Sequence, residues 1–198
     1  MSAAPAREIL LQEYLAIERQ REFKSEYRNG RMFAMAGASE AHNLIVWNVG
    51  AELHVQLKGR TCKAYQNDMR VRIPRSPSYK YPDIAVLCGK PQFEDTHKDT
   101  LLNPTVIIEV LSPSTEASDR GAKFREYRMI DSLQEYVLIS QDKPLIERYT
   151  RQKNVPFWLF SDAGGLDASL ELASVKCTLA LAEVYDKVEF ESEGDRQR

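Results

Sequence analysis

The chain has 198 residues, enough for one domain with a real core. Hydrophobic residues make up 43% and charged residues 28%, which excludes a disordered chain, and no apolar run approaches the ~18 residues of a membrane span. A formal net charge of −2 excludes a broadly basic nucleic-acid binder, so any DNA surface must be a local patch.

The first residues, Met1 to Arg7, lack the basic-then-apolar layout of a signal peptide. Cys62, Cys88 and Cys177 are an odd number, far apart and without a Cys-x-x-Cys pattern. They predict reduced thiols in a cytoplasmic protein rather than a disulfide framework or a zinc site. We read a single domain over residues 1–198, with an ordered core over about 7–186 and a frayed acidic tail over 187–198.

Arg7 to Arg19 has the apolar spacing of an amphipathic helix, through Ile9, Leu10, Tyr14 and Ile17. Two extended runs follow, Glu22–Arg28 and Arg31–Met35, joined by Asn29-Gly30. Asn-Gly supplies the two positive φ angles of a type I′ hairpin turn, which sets Glu26 opposite Phe33. Ser39 is placed to cap a helix over Glu40–Leu57, which His42 enters in the first turn and Gly59 closes. Thr61–Ala64 and Met69–Ile73 read as strands, the second with Arg70 and Arg72 on one face. Pro74 to Ser78 reads as a loop.

Tyr81–Leu87 and Thr105–Leu111 are short apolar runs of buried-strand length. Each carries one acid, Asp83 and Glu109, where an apolar residue is expected. A lone buried carboxylate is costly, so such an acid has a partner, a proton or a metal. The connection from Gly89 to Pro104 permits an antiparallel return, which would set Asp83, at the start of one strand, beside Glu109, near the end of the other.

Ser118 or Asp119 is placed to cap a helix reaching about Ile130, with Asp119, Lys123 and Tyr127 on one side. Three strands then follow as a meander: Glu135–Ile139, Leu145–Tyr149 and Val155–Phe160. One more extended run, Ala168–Leu172, precedes a helical ending over Leu179–Tyr185. The pattern predicts an α/β (α+β) domain, a mixed and largely antiparallel sheet flanked by helices.

Pro82-Asp83, then Glu109-Val110-Leu111-Ser112-Pro113-Ser114-Thr115, then Asp119, Lys123 and Tyr127, then Glu135-Tyr136 form an ordered series. With the Glu26–Gly30 hairpin and His42 upstream, this series resembles the Uma-two family of restriction-endonuclease-like proteins. That family is abundant in cyanobacteria, was long classed as a domain of unknown function, and is placed in the PD-(D/E)XK nuclease superfamily. The resemblance runs from about Ile9 to Tyr185. It implies a restriction-endonuclease-like fold and metal-dependent hydrolysis of DNA. Asp83 and Glu109 would bind Mg²⁺, with Mn²⁺ as a substitute and the Val110 carbonyl as a further oxygen ligand. The superfamily lysine two residues after the second acid is replaced here by Leu111, and Lys123 takes its part. Glu26, His42 and Asp119 are supporting candidates, and a homodimer is implied by analogy with enzymes that cut two strands.

Each residue also has a plainer reading. Asp83 could be satisfied by backbone N–H groups, and Lys123 could simply pair with Asp119 at i, i+4. Arg70 and Arg72 are phosphate-contact candidates, although a solvated strand face would look the same. Tyr127 and Trp158 read as core. The alternative from another class is a catalytically silent domain that binds nucleic acid or itself and retains the nuclease fold.

Overall fold

The computed structural model describes residues 8–190. Arg7, where the first helix was expected to begin, and residues 191–198 of the acidic tail lie outside the described residues.

The first helix, α1, covers Leu11–Glu18. Strands β1 (Ser25–Arg28) and β2 (Arg31–Ala34) form the hairpin, with Glu26 opposite Phe33. Asn29 at φ 47° and Gly30 at φ 79° supply its turn. Helix α2 spans Glu40–Leu57, and the Ser39 hydroxyl accepts the His42 N–H as its cap. Strands β3 (Cys62–Gln66), β4 (Arg70–Ile73), β5 (Ser78–Lys80) and β6 (Ile84–Cys88) follow. The segment read as a loop at Pro74–Ser78 is thus a tight turn leading straight into a further strand.

Strand β7 is the two-residue Thr100–Leu101 and β8 is Val106–Leu111. Helix α3 (Glu116–Ser118) continues through a π-helical turn at Asp119–Lys123 into α4 (Phe124–Tyr127). The last strands are β9 (Glu135–Ser140), β10 (Leu145–Arg151), β11 (Trp158–Gly164), β12 (Ser169–Leu172) and β13 (Cys177–Ala180), before the single turn α5, Leu181–Val184. The helical ending is therefore shorter than expected, because Leu179 pairs with Leu170 across a hairpin.

A six-stranded sheet in the order β11-β10-β9-β8-β6-β3 forms the centre. Its β8–β9 pair is parallel and its other pairs are antiparallel, as a mixed, largely antiparallel sheet requires. A second, five-stranded sheet runs β2-β1-β5-β4-β7. The central sheet is covered on both faces. Ile45, Val49 and Leu53 of α2 pack on Ile84, Val106, Ile108 and Val137. Tyr127, Ile130, Val71 and Ile73 pack on Ala85, Leu87, Ile107 and Leu138 on the other face. A third cluster, Tyr14, Tyr27 and Tyr79, ties α1 to the second sheet. β8 is buried along its whole length, so Glu109 stands in a strand with no solvated side. No helix among the described residues is long and apolar enough to cross a membrane.

One expectation is overturned. Cys62 and Cys88 form a disulfide, because β3 and β6 pair antiparallel in a register that sets the two residues directly opposite each other. Their separation of 26 residues hid that neighbourhood. Cys177 is free and buried. Unfolded, unreduced protein is therefore expected to present a single thiol to a colorimetric reagent. Reduction should lower stability by roughly 3 kcal/mol, the loop-closure value for that separation. Full thiol reactivity before any reductant is added would count against the bridge.

Candidate active site

The register Ile84↔Ile108 brings Asp83, just ahead of β6, level with Glu109 in β8. Alternation then puts Asp83, Ala85 and Leu87 on the same face as Ile107, Glu109 and Leu111. The expected juxtaposition of the two carboxylates is what the strands form. Asp83 Oδ2 accepts the Val110 N–H at 2.7 Å and lies 3.3 Å from His42 Nε2. His42 reaches it from the first turn of α2, where Ser39 fixes the helix start. His42 Nδ1 is buried and has no hydrogen-bond partner among the described residues.

Glu109 is 3% exposed. Its Oε1 accepts the Tyr127 hydroxyl at 2.9 Å, and its Oε2 lies 3.3 Å from Lys123 Nζ. Both partners come from the helix laid across this face. The π-helical turn at Asp119–Lys123, a feature often found at functional sites, carries Lys123, and α4 carries Tyr127. The Tyr136 hydroxyl of β9 donates to the Asp119 carbonyl and pins that turn to the sheet. Lys123 Nζ is also 3.0 Å from Asp119 Oδ1 and 3.6 Å from Glu26 Oε1. Asp119 is fully buried, and its Oδ2 has no hydrogen-bond partner among the described residues.

These surroundings set the protonation of the site. Burial pushes the Glu109 carboxyl well above its usual range, and the charges of Asp119, Asp83 and Glu26 push the same way against Lys123. Burial works against the charged Lys123 ammonium, but Glu109, Glu26 and Asp119 outweigh it and hold the lysine protonated. Burial and the facing Glu109 raise the Tyr127 hydroxyl, which keeps its proton as a donor.

Glu26, on β1, joins the cluster across sheets. Its Oε2 is 3.1 Å from Lys80 Nζ, and Lys80 also reaches Glu126 Oε2 at 3.3 Å. The sequence reading missed Lys80, Glu126 and the hydroxyl role of Tyr127. Tyr127 was taken as core, which is right for its ring. A signal for Lys80 existed only in register: if β5 pairs with β1, Lys80 falls opposite Glu26.

Arg70 and Arg72 are placed elsewhere. Val71 is the register partner of Lys80, so the flanking arginines point to the opposite face of the second sheet. Arg70 is 3% exposed and engaged by Asp99, Thr100 and Tyr81. Arg72 donates to Glu94 at 2.7 Å. Their geometry is that of structural ion pairs rather than of a phosphate-facing patch.

Glu109, Asp119 and Glu26 converge as hard oxygen donors on the Lys123 ammonium, and Asp83 stands level with Glu109 across the strand pair. Among the described residues, no group of three acidic, histidine or cysteine side chains is arranged to grip an ion. Magnesium takes few protein carboxylates and keeps several waters, so Asp83 and Glu109 are the residues that could hold such an ion.

A mixed sheet covered by helices, with paired acids on neighbouring antiparallel strands and a lysine from the covering helix, defines a restriction-endonuclease-like α+β architecture. A solved structure shares it: the "putative nuclease belonging to DUF820" from Anabaena variabilis superposes with a TM-score of 0.75, covering 91% of this chain and 99% of that one at 19% identity. The particular family is settled by sequence. The Uma2 model, described as "Putative restriction endonuclease", matches residues 11–181, and the chain belongs to that family. Two uncharacterized proteins of Synechocystis sp. are similar over nearly their whole length. One is 36% identical over 89% of this chain and 99% of its own length, the other 33% identical over 95% and 97%.

Proposed function

We propose that the protein is a metal-dependent nuclease that hydrolyses phosphodiester bonds in DNA. The observation that carries this reading is the pair of Asp83, half-buried, and Glu109, buried, side by side on antiparallel strands with the Lys123 ammonium at Glu109, in a chain of the Uma2 family. When bound, a divalent cation would supply charge neutralisation at the phosphodiester and lower the pKa of a water molecule. Asp83 and Glu109 would hold it, with the Val110 carbonyl as a further ligand.

The chain's own groups divide the remaining work. Tyr127 fixes Glu109 Oε1, which leaves Oε2 to face the site. The Val110 N–H fixes Asp83 Oδ2 in the same way. Lys123 stays protonated and can hold a phosphate oxygen or orient the attacking water. Asp119 and Glu26 keep that lysine charged and aimed. His42 supports Asp83 from outside the sheet. One copy carries one such site, so cutting both strands of a duplex calls for a second copy, and sedimentation of the protein with and without duplex tests that homodimer.

Titration with Mn²⁺ and Mg²⁺, with and without a non-specific duplex, is the direct test. Saturable binding in wild type, lost in Asp83→Asn and in Glu109→Gln, is the expected result, together with metal-dependent cleavage of the duplex. Binding that ignores both substitutions, or no binding in either condition, would leave a silent nucleic-acid-binding domain as the better account. The size-conserving Lys123→Met should reduce cleavage by about 10²-fold or more while leaving metal binding in place. Wild-type cleavage by that variant removes the lysine from the mechanism.

A further inference from the structure

The row of side chains that carries Glu26 does not end inside the protein. Val71, Lys80, Glu26 and Phe33 lie opposite one another in turn across β4, β5, β1 and β2. Val71 and Lys80 are buried, whereas Phe33, the last of the row, is 46% exposed. Phe33 thus stands on the same sheet face as Glu26, directly across one strand pair. The Arg28 guanidinium lies 5.8 Å from the Phe33 ring centroid. Arg28 and Arg31 are themselves register partners beside the turn.

Two features need an occupant. A half-exposed phenylalanine on an edge strand keeps a ring face wet that folding alone would bury. Directly opposed like charges destabilise a strand pair unless an anion lies between or over them. Among the described residues no ion pair or side-chain hydrogen bond gives Arg28 or Arg31 an acid: Glu26 turns inward to Lys80 and Lys123, and Asp68 pairs with Lys24. A second copy docked symmetrically here would bring arginine pairs face to face, so the charge argues for an anionic partner.

We propose that the β1–β2 hairpin receives an unpaired segment of nucleic acid, with the Phe33 ring stacked on a base and Arg28 and Arg31 on the adjoining phosphates. This deepens the nuclease reading and rests on it. A ring can stack on a base only where that base has left its duplex neighbours, so the substrate class is single-stranded or locally opened nucleic acid. The hairpin would then deliver the backbone to the acids one residue row away.

The test is binding of a labelled oligothymidylate, and of its duplex with oligoadenylate, in the absence of divalent metal. Wild type should prefer the single strand, and Phe33→Ala should weaken that binding by about tenfold, with Phe33→Trp restoring it. Arg28→Gln should lower the salt dependence by about one released counterion. Phe33 is half exposed, so these variants should keep the wild-type circular dichroism spectrum. Equal affinity for both DNAs with no effect of Phe33→Ala overturns the proposal, as does a Phe33→Ala effect confined to self-association. Metal-dependent cleavage measured on the same DNAs separates the two readings. Cleavage with an unchanged KM in Phe33→Ala sinks the hairpin alone, whereas absence of both binding and cleavage in wild type sinks the nuclease reading with it.

Discussion

Glu109→Gln is expected to abolish metal-dependent cleavage, by about 10³-fold or more, without lowering the stability of the fold. The two halves have one cause. Glu109 is held in a strand buried on both faces, against Ile107 and Leu111, with Asp83 and Asp119 adding negative charge nearby. Its folded pKa therefore lies above the unfolded value of 4.5. For a carboxyl shifted upward, the folded state is favoured while the proton is on, and that advantage is lost as pH rises from the unfolded pKa towards the folded one. Near neutrality the acid is thus a burden that a neutral amide of the same shape does not carry. Lys123 would still have Glu26 and Asp119 as partners. Urea unfolding at neutral pH should show stability unchanged or raised on the order of 1 kcal/mol. A variant that is strongly destabilised yet cleaves at the wild-type rate would mark Glu109 as a structural acid.

The second large effect lies away from the site. Asp99→Ala should cost about 3 kcal/mol, because it strands the buried Arg70 guanidinium and leaves Arg19 with Asp95 as its remaining carboxylate. Arg19 grips Asp99 with a fork, Nε to Oδ2 at 2.8 Å and Nη2 to Oδ1 at 2.9 Å. Arg70 meets the same carboxylate from inside the second sheet, where it is 3% exposed and cannot turn to water. The figure sits at the low end for a buried pair, since the Asp99 side chain is 32% exposed. The arginines hold the Asp99 carboxyl well below its usual range. For a depressed acid the stabilisation is present above the unfolded pKa and is lost as pH falls through the folded one. The deficit of Asp99→Ala should therefore be full at pH 7 and shrink in strong acid, below about pH 4. A deficit under about 0.5 kcal/mol at pH 7 would show that Arg19 and Arg70 find other partners.

The two predictions divide along what could be read in the chain. Glu109 was legible because an acid inside an apolar strand breaks a local pattern. Asp99 was not, because it sits in a polar loop and its importance comes from Arg19 and Arg70, distant in sequence. The same contrast recurs elsewhere. Helix α2 follows the capping signal at Ser39 and ends at Leu57 as its apolar stripe predicts, and the Asn29-Gly30 turn fixes the hairpin register. Arg70 and Arg72 looked like a solvated pair on an alternating strand, but Asp99, Thr100 and Tyr81 enclose the first of them. The π-helical turn left no signal in a pattern read at ordinary helical spacing, and the Cys62–Cys88 bridge arose from a strand pairing rather than a motif.

By itself, then, the sequence determined most of the strands, though not β5, β7 or β13, together with the hairpin, the long helix and the presence of acids inside apolar strands, since each follows from contacts within one turn or one strand. It also determined that Asp83 and Glu109 would share a face, because alternation and one antiparallel return suffice. Only the tertiary structure decided that Tyr127 donates to Glu109, that Lys80 and Glu126 close the cluster behind Glu26, and that Phe33 ends that row in the open. Those contacts join residues from different sheets and helices. Their partners are chosen by register and by which face packs on which, and such choices depend on the whole chain at once.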